Sequence, residues 1–226
     1  MNILSLDCAV TRISLAVKTE SKFLSATYDI GMRQSEILVP SIDELLKKAE
    51  LSPSELNATA LTIGPGSFTG LRLGISALKA IELAYGAPVY GISSLEAYAY
   101  PYTNFECPVL SCIDANKDKF YCRISEGEKI LLEDGDYELE TIIEKAKTPE
   151  SLLICGPDAE KLSDLLKKSL PEKKYLLPAT GAMTAESLIS ITENMIASGK
   201  PALQDYDGPV YLRASEAELK LNAANS

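Results

Sequence analysis

Apolar and polar residues alternate along residues 2–7, which lean apolar, and with period two along 12–18, and residues 22–29 can form a third strand beside them. Such alternation predicts strands with one face turned to a core. The connection Cys8-Ala9-Val10-Thr11 joins the first two, so the three form an antiparallel meander. The period then changes. Leu38, Ile42, Leu45, Leu46 and Ala49 recur at helical spacing and predict a helix over 36–49. Ser52-Pro53-Ser54-Glu55 has capping-box spacing with proline at the first helical position, which predicts a short helix. A strand over 58–63, a loop over 64–70, a helix over about 71–85 and a strand over 88–92 follow. A second capping box, Ser93-Ser94-Leu95-Glu96, opens a helix that ends near Pro101.

The same succession starts again at residue 109. Strands are expected over 109–114, 119–125 and 129–133, helices over about 138–147, 158–169 and 184–198, and further strands over 152–155 and 174–177. The order β-β-β-α-β-α therefore occurs twice in an α/β chain. It predicts two related subdomains, residues 1–107 and a degenerate copy over 108–226. The polar stretch 214–226 is expected to fray.

Composition narrows the chemistry. The 226 residues contain no histidine, which excludes Ser-His-Asp and Cys-His catalysis, HExxH proteases and His-based metal centres. The five cysteines, Cys8, Cys107, Cys112, Cys122 and Cys155, form no CxxC pair and read as buried small apolar residues of a reducing compartment. No apolar run approaches the roughly 20 residues of a membrane span, and the first residues read as a strand rather than a signal peptide. The cytoplasm is the expected location. The net charge of −10 opposes strong autonomous binding to nucleic acid, so an RNA target would be held mainly by another subunit.

Four segments invite a chemical reading. Gly64-Pro65-Gly66-Ser67-Phe68-Thr69-Gly70-Leu71-Arg72 leaves a strand and enters a helix, so its amides suit either an anion or a tight turn. No Gly-Lys-Ser/Thr follows, so it is not a Walker A loop. Asp7 ends the first strand and either orients a phosphate or bonds the backbone of its turn, which lacks a phosphate-binding glycine. The candidate anion or nucleotide contacts are thus Asp7, Gly64, Gly66, Ser67, Thr69, Gly70 and Arg72. Asp114-Ala115-Asn116-Lys117-Asp118 and Gly156-Pro157-Asp158 occupy matching places in the second half. Separately, the helices at 36–49 and 71–85 carry apolar stripes broad enough to serve either a core or a second polypeptide.

The loop Gly64–Arg72 closely resembles the signature loop of the TsaB (YeaZ) family. Ile3-Leu4-Ser5-Leu6-Asp7, Ser35-Glu36-Ile37-Leu38-Val39-Pro40, Gly91-Ile92-Ser93-Ser94-Leu95-Glu96-Ala97, Asp114-Ala115 with Phe120-Tyr121, and Pro209-Val210-Tyr211-Leu212-Arg213 are similar too. The resemblance runs in order along nearly the whole chain. It implies an actin/Hsp70-like (ASKHA, ribonuclease H-like) fold and a part in making threonylcarbamoyladenosine in tRNAs that read codons starting with A. It further implies a TsaD-type catalytic subunit and a TsaE-type ATPase as partners, with tRNA engaged through the complex. Family members pair through two N-terminal helices, so Leu38, Ile42, Leu45, Leu71, Ile75 and Leu78 are the expected contacts here, and a homodimer is expected in isolation. No catalytic residue, metal or cofactor of its own is expected, with ATP or ADP placed at the complex junction. The chain departs from the family at Gln34, where histidine is common. The metal-binding histidines of TsaD-like relatives are also missing. A rival expectation is an ATPase or small-molecule kinase of the same superfold acting alone, with Asp7 and the glycine loop at the phosphates.

Overall fold

A computed structural model describes residues 1–31, 33–178 and 184–213. The first part of the chain forms β1 (Ile3–Asp7), β2 (Arg12–Lys18), β3 (Phe23–Asp29), α1 (Gln34–Ala49), β4 (Ala58–Gly64), α2 (Phe68–Tyr85), β5 (Val89–Ser93) and the short α3 (Ser94–Ala99). The second forms β6 (Val109–Asn116), β7 (Lys119–Glu126), β8 (Lys129–Glu138), α4 (Leu139–Ala146), β9 (Ser151–Cys155), α5 (Ala159–Ser169), β10 (Lys174–Leu176) and α6 (Thr184–Ala197). The two sheets run β3-β2-β1-β4-β5 and β8-β7-β6-β9-β10, one order written twice. In each, the opening strand is antiparallel to its hairpin partner and parallel to the strand that returns after a helix. The doubled element order predicts this duplication, and the plan is that of the actin/Hsp70-like class that the family resemblance implies.

Side-chain alternation explains how each central strand is covered. Leu4 and Leu6 of β1 join the core beneath α1 and α2. Ile3 points to the opposite face, and Ser5 donates its hydroxyl to the carbonyl of Ala185 on α6 at 2.7 Å. Both faces being covered, β1 is buried throughout.

Helix ends follow local chemistry. Helix α2 starts at Phe68, three residues before the expected position, because the Ser67 hydroxyl caps it by accepting the Gly70 amide. It stops at Gly86, whose φ of 78° is left-handed. The Ser52 capping box forms as expected, but what it opens is a single 3₁₀ turn, Pro53–Glu55, not a longer helix. On α1, Lys47 and Lys48 reach back to Asp43 and Glu44 one turn earlier. Being exposed, such pairs are screened by water and add little to stability.

The chain order and the lobes do not coincide. Helix α6 packs Ala185, Leu188, Ile189 and Ile191 against Ile3, Ala16, Ala58 and Ala60 of the first sheet. Residues 203–210 follow it there, the Leu203 amide bonding the Val89 carbonyl at 2.7 Å and the Val210 amide that of Ile63 at 2.7 Å. The expected second subdomain over 108–226 is therefore corrected: its last helix belongs to the first lobe. Conversely, Leu95, Tyr98 and Ala99 of α3 pack on Val109, Ile113 and Leu153 of the second sheet. The two lobes exchange helices, so each lobe's core includes sequence from the other half. The tail 214–226, expected to fray, lies outside the described residues.

Candidate functional site

The glycine loop is shaped by backbone contact within the molecule. The Ser67 amide donates to the Ala9 carbonyl at 2.6 Å, which lays the loop against the β1–β2 turn. A Cβ on Gly66 would overlap the Ala9 carbonyl, and one on Gly70 would overlap that of Cys8. Gly64 has φ of 122°, a conformation side chains disfavour, and its face is filled by the Val210 carbonyl. The glycines thus let three segments meet, and the Ser67 and Gly70 amides, offered to an anion by the sequence, already have partners inside the chain. Gln34 adds a further tie, since its buried side-chain amide donates to the Val10 carbonyl. Thr69 and Arg72 are placed apart from this knot, on the exposed side of α2.

Asp7 is likewise turned inward. Oδ1 accepts from the Ala9 amide at 2.9 Å and the Thr62 hydroxyl at 2.7 Å, while Oδ2 faces the Tyr98 hydroxyl at 3.5 Å. Burial pushes the Asp7 carboxyl above its ordinary value, and hydrogen bonds from Ala9, Thr62, Thr184 and Tyr98 offset only part of this. An acid raised in the folded state contributes most to stability below its unfolded pKa and loses that contribution as pH rises through the folded value. Asp7→Asn retains an acceptor for Ala9 and Thr62. It should therefore raise the urea midpoint above wild type at pH 8, with the difference vanishing toward about pH 4. A wild-type advantage at pH 8 would show that the ionised carboxylate is the favoured partner of those donors.

Between the lobes lies a cleft of about 320 Å³ lined by Asp7, Arg12, Tyr98, Gly156 and Glu160 among others. The end of β1 faces the end of β9 and the start of α5 here. On the second-lobe side, the Asp158 carboxylate accepts the Asp114 amide at 2.7 Å, and Lys161 reaches Asp114 at 2.5 Å. Partial burial raises the Asp114 carboxyl, but bonds from Lys161 and the Asn116 amide outweigh it and hold the group below its ordinary value. Asn116, Lys117 and Asp118 turn the hairpin with positive φ throughout. Both segments that the sequence marks in the second half are thus occupied in bonding each other.

The expected partner contacts require correction. Leu38, Ile42, Leu45 and Leu78 are buried in the core between the helices and the first sheet, Leu71 is buried near Gly64, and Ile75 is half-buried against that core. The helical stripe that marks them is the inner face. The outer faces carry Val39, 62% exposed, on α1, and Thr69, Arg72, Ser76, Ala80, Leu83 and Ala84 on α2. Leu83 is 91% exposed. A solvated helix face normally bears charge, yet Arg72 is the only charged residue of α2 that is exposed, Lys79 and Glu82 being half-buried. At the start of this ridge Phe68 stacks on Tyr211, ring centroids 5.1 Å apart. Sequence reasoning missed Val39, Leu83 and Tyr211. The first two were readable as the residues of each helix left over once the inner stripe was assigned.

The cysteines are all free and buried, and burial raises the thiols of Cys8, Cys112, Cys122 and Cys155. Native protein should react with a thiol reagent at well under one equivalent within minutes, and with five after denaturation. A rapid stoichiometric reaction in native buffer would contradict this packing.

Two exchanged lobes with matching sheets and a cleft at their strand ends define an actin/Hsp70-like protein. Within that class, the family model described as TsaD, tRNA N6-adenosine threonylcarbamoyltransferase, matches residues 31–199, and the chain belongs to this family. Its resemblance is to the TsaB (YeaZ) members. It is 29% identical to the tRNA threonylcarbamoyladenosine biosynthesis protein TsaB of Escherichia coli strain K12, over 98% of each chain. It is 26% identical to the TsaB of Bacillus subtilis strain 168, over 97% of each. The solved structure of YeaZ from Pseudomonas aeruginosa superposes with a TM-score of 0.77 at 25% identity, covering 93% of this chain and all of that one. Among the described residues no helix is long and apolar enough to cross a membrane.

Proposed function

We propose that this protein is the non-catalytic subunit that binds and activates a TsaD-type catalytic subunit. That partner transfers a threonylcarbamoyl group to the adenosine next to the anticodon in tRNAs reading codons that start with A. The observation that carries the reading is the outward ridge of α2, where Ser76, Ala80, Leu83 and Ala84 face water, while Val39 of α1 is exposed too. Small residues let a second helix approach closely, and packed helix axes lie about 8–10 Å apart. Covering Leu83 and Val39 would contribute about 1.5–3 kcal/mol for each side chain fully buried.

The state of Asp7 supports a subunit over a lone catalyst. Its oxygens are engaged by internal donors, and burial disfavours the charge a magnesium-bound phosphate would need. Nucleotide, ATP or ADP, belongs at the junction with the catalytic subunit. A TsaE-type ATPase joins the complex, and tRNA is held by the assembly, since this chain's charge of −10 repels phosphate. The protein acts in the cytoplasm. Alone, two copies pair through the same ridge.

The test is sedimentation of the purified chain with a TsaD-type subunit at micromolar concentration, together with tRNA modification reconstituted with and without the chain. A complex, and modification that depends on it, are expected. No complex, or turnover of ATP by the isolated chain with magnesium, would overturn the reading.

A further inference from the structure

We propose that Phe68, Arg72 and Tyr211 form a preset receptor for one carboxylate side chain of the catalytic partner subunit, at the N-terminal end of the α2 ridge. The inference rests on the partner reading above and adds the group recognised. The Arg72 guanidinium lies 3.9 Å from the Phe68 ring centroid, and its Nε donates to the Tyr211 hydroxyl at 3.0 Å. Phe68 and Tyr211 are stacked, with their planes 28° apart. The rings fix the plane of the guanidinium and use up Nε, leaving the four N–H groups of Nη1 and Nη2 for a ligand.

Three features point to a carboxylate. Arg72 is exposed and forms no salt bridge among the described residues, whereas Arg33, Arg123 and Arg213 each pair with an acid; Arg12, the other arginine without a salt bridge there, lines the cleft between the lobes instead. A fork held in plane loses little freedom when it grips a planar carboxylate with two bonds. Finally, the cluster continues directly into Ser76, Ala80 and Leu83, so a partner helix seated on the ridge brings its side chains to Arg72. An RNA phosphate fits less well, because Lys79, the other cation of α2, is already paired with Glu82 and the chain carries a net charge of −10.

Tyr211 reaches the site from the far end of the sequence. The Val210 amide ties its segment to Ile63, and Arg213 grips Asp136 of β8 through two bonds of 2.7 and 2.9 Å. The C-terminal segment is therefore part of the partner surface as well as a strap between the lobes.

Binding of the full chain to a TsaD-type subunit, followed by calorimetry, tests this with Arg72→Gln, Arg72→Lys and Tyr211→Ala, each checked for an unchanged melting curve. Arg72→Gln should weaken binding about 30–100-fold and Tyr211→Ala about tenfold. Arg72→Lys, which keeps charge but loses the fork, should fall between Arg72→Gln and wild type. Replacing the partner's acids one at a time with their amides should reveal one whose effect is not additive with Arg72→Gln. Equal affinity of wild type and Arg72→Gln for the partner overturns the receptor while leaving the partner reading intact. Failure of the wild-type chain to bind overturns both. Unchanged partner affinity with weakened tRNA retention by the complex would make the cluster an RNA contact, and the carboxylate proposal falls.

Discussion

Leu83→Glu should leave the isolated protein as stable as wild type yet lower its affinity for a TsaD-type subunit by about 100-fold, equivalent to about 2.7 kcal/mol. The side chain is 91% exposed, so a carboxylate there is fully hydrated in the free protein. Seated against a second helix it would be stripped of water without a partner, which costs far more than the lost leucine contacts alone. Leu78→Glu, five residues earlier on the opposite side of α2, should behave inversely. Leu78 is fully buried in the core beneath α2, and a charge there should abolish cooperative unfolding before binding can be asked about. The milder Leu78→Ala should cost about 2.7–5 kcal/mol. Circular dichroism and sedimentation on the three variants separate the two faces. If Leu83→Glu binds like wild type, the α2 ridge is not the contact.

That contrast also marks what the sequence made legible. Leu38, Ile42, Leu45 and Leu78 announce amphipathic helices through their spacing, and the spacing is right. Periodicity states that a stripe is buried, however, and is silent about whether a sheet of the same chain or a foreign helix buries it. The sheet of β1 to β5 supplies the cover, so the residues the stripe excludes are the ones left facing water. Asp7 shows the same limit on a smaller scale. Its position at a strand end was readable, as was its bond to the turn, but the donors Thr62 and Tyr98 come from β4 and α3 and meet it only in the fold. The Arg72–Tyr211 bond spans 139 residues and leaves no local signal at all.

Membership in a family described by its transferase fits this picture of one scaffold with separate uses. The scaffold keeps the doubled sheets and the cleft. At the places where the duplicated plan offers a ligand, this chain satisfies its own groups: Ser67 with Ala9, Asp7 with Thr62, Asp158 with Asp114. Polar atoms already paired inside a protein gain little from a new ligand, because each new bond replaces an old one. Exposed apolar atoms on α2 gain more from being covered.

Residues 1–107, expressed alone, should fail to unfold cooperatively in urea, and fusing residues 184–213 to them through a flexible Gly/Ser linker should restore a transition. The boundary near 107 is the natural cut in the sequence, yet it removes α6. Without that helix, Ile3, Ala16, Ala58, Ala60, Tyr90 and Ile92 lose their cover, and the Ser5 hydroxyl loses the Ala185 carbonyl. Exposed apolar surface costs about 25 cal/mol per Å², and a lobe of this size has only about 5–15 kcal/mol in total to lose. One whole sheet face is beyond that margin. Residue 203 would also leave the β5 edge, where its amide bonds Val89. The fused piece still lacks the second sheet beneath α3, so its midpoint should lie below that of the full chain. An isolated 1–107 fragment that unfolds at the full-length midpoint would show that the first sheet is closed by its own half of the sequence and that the helix exchange carries no stability.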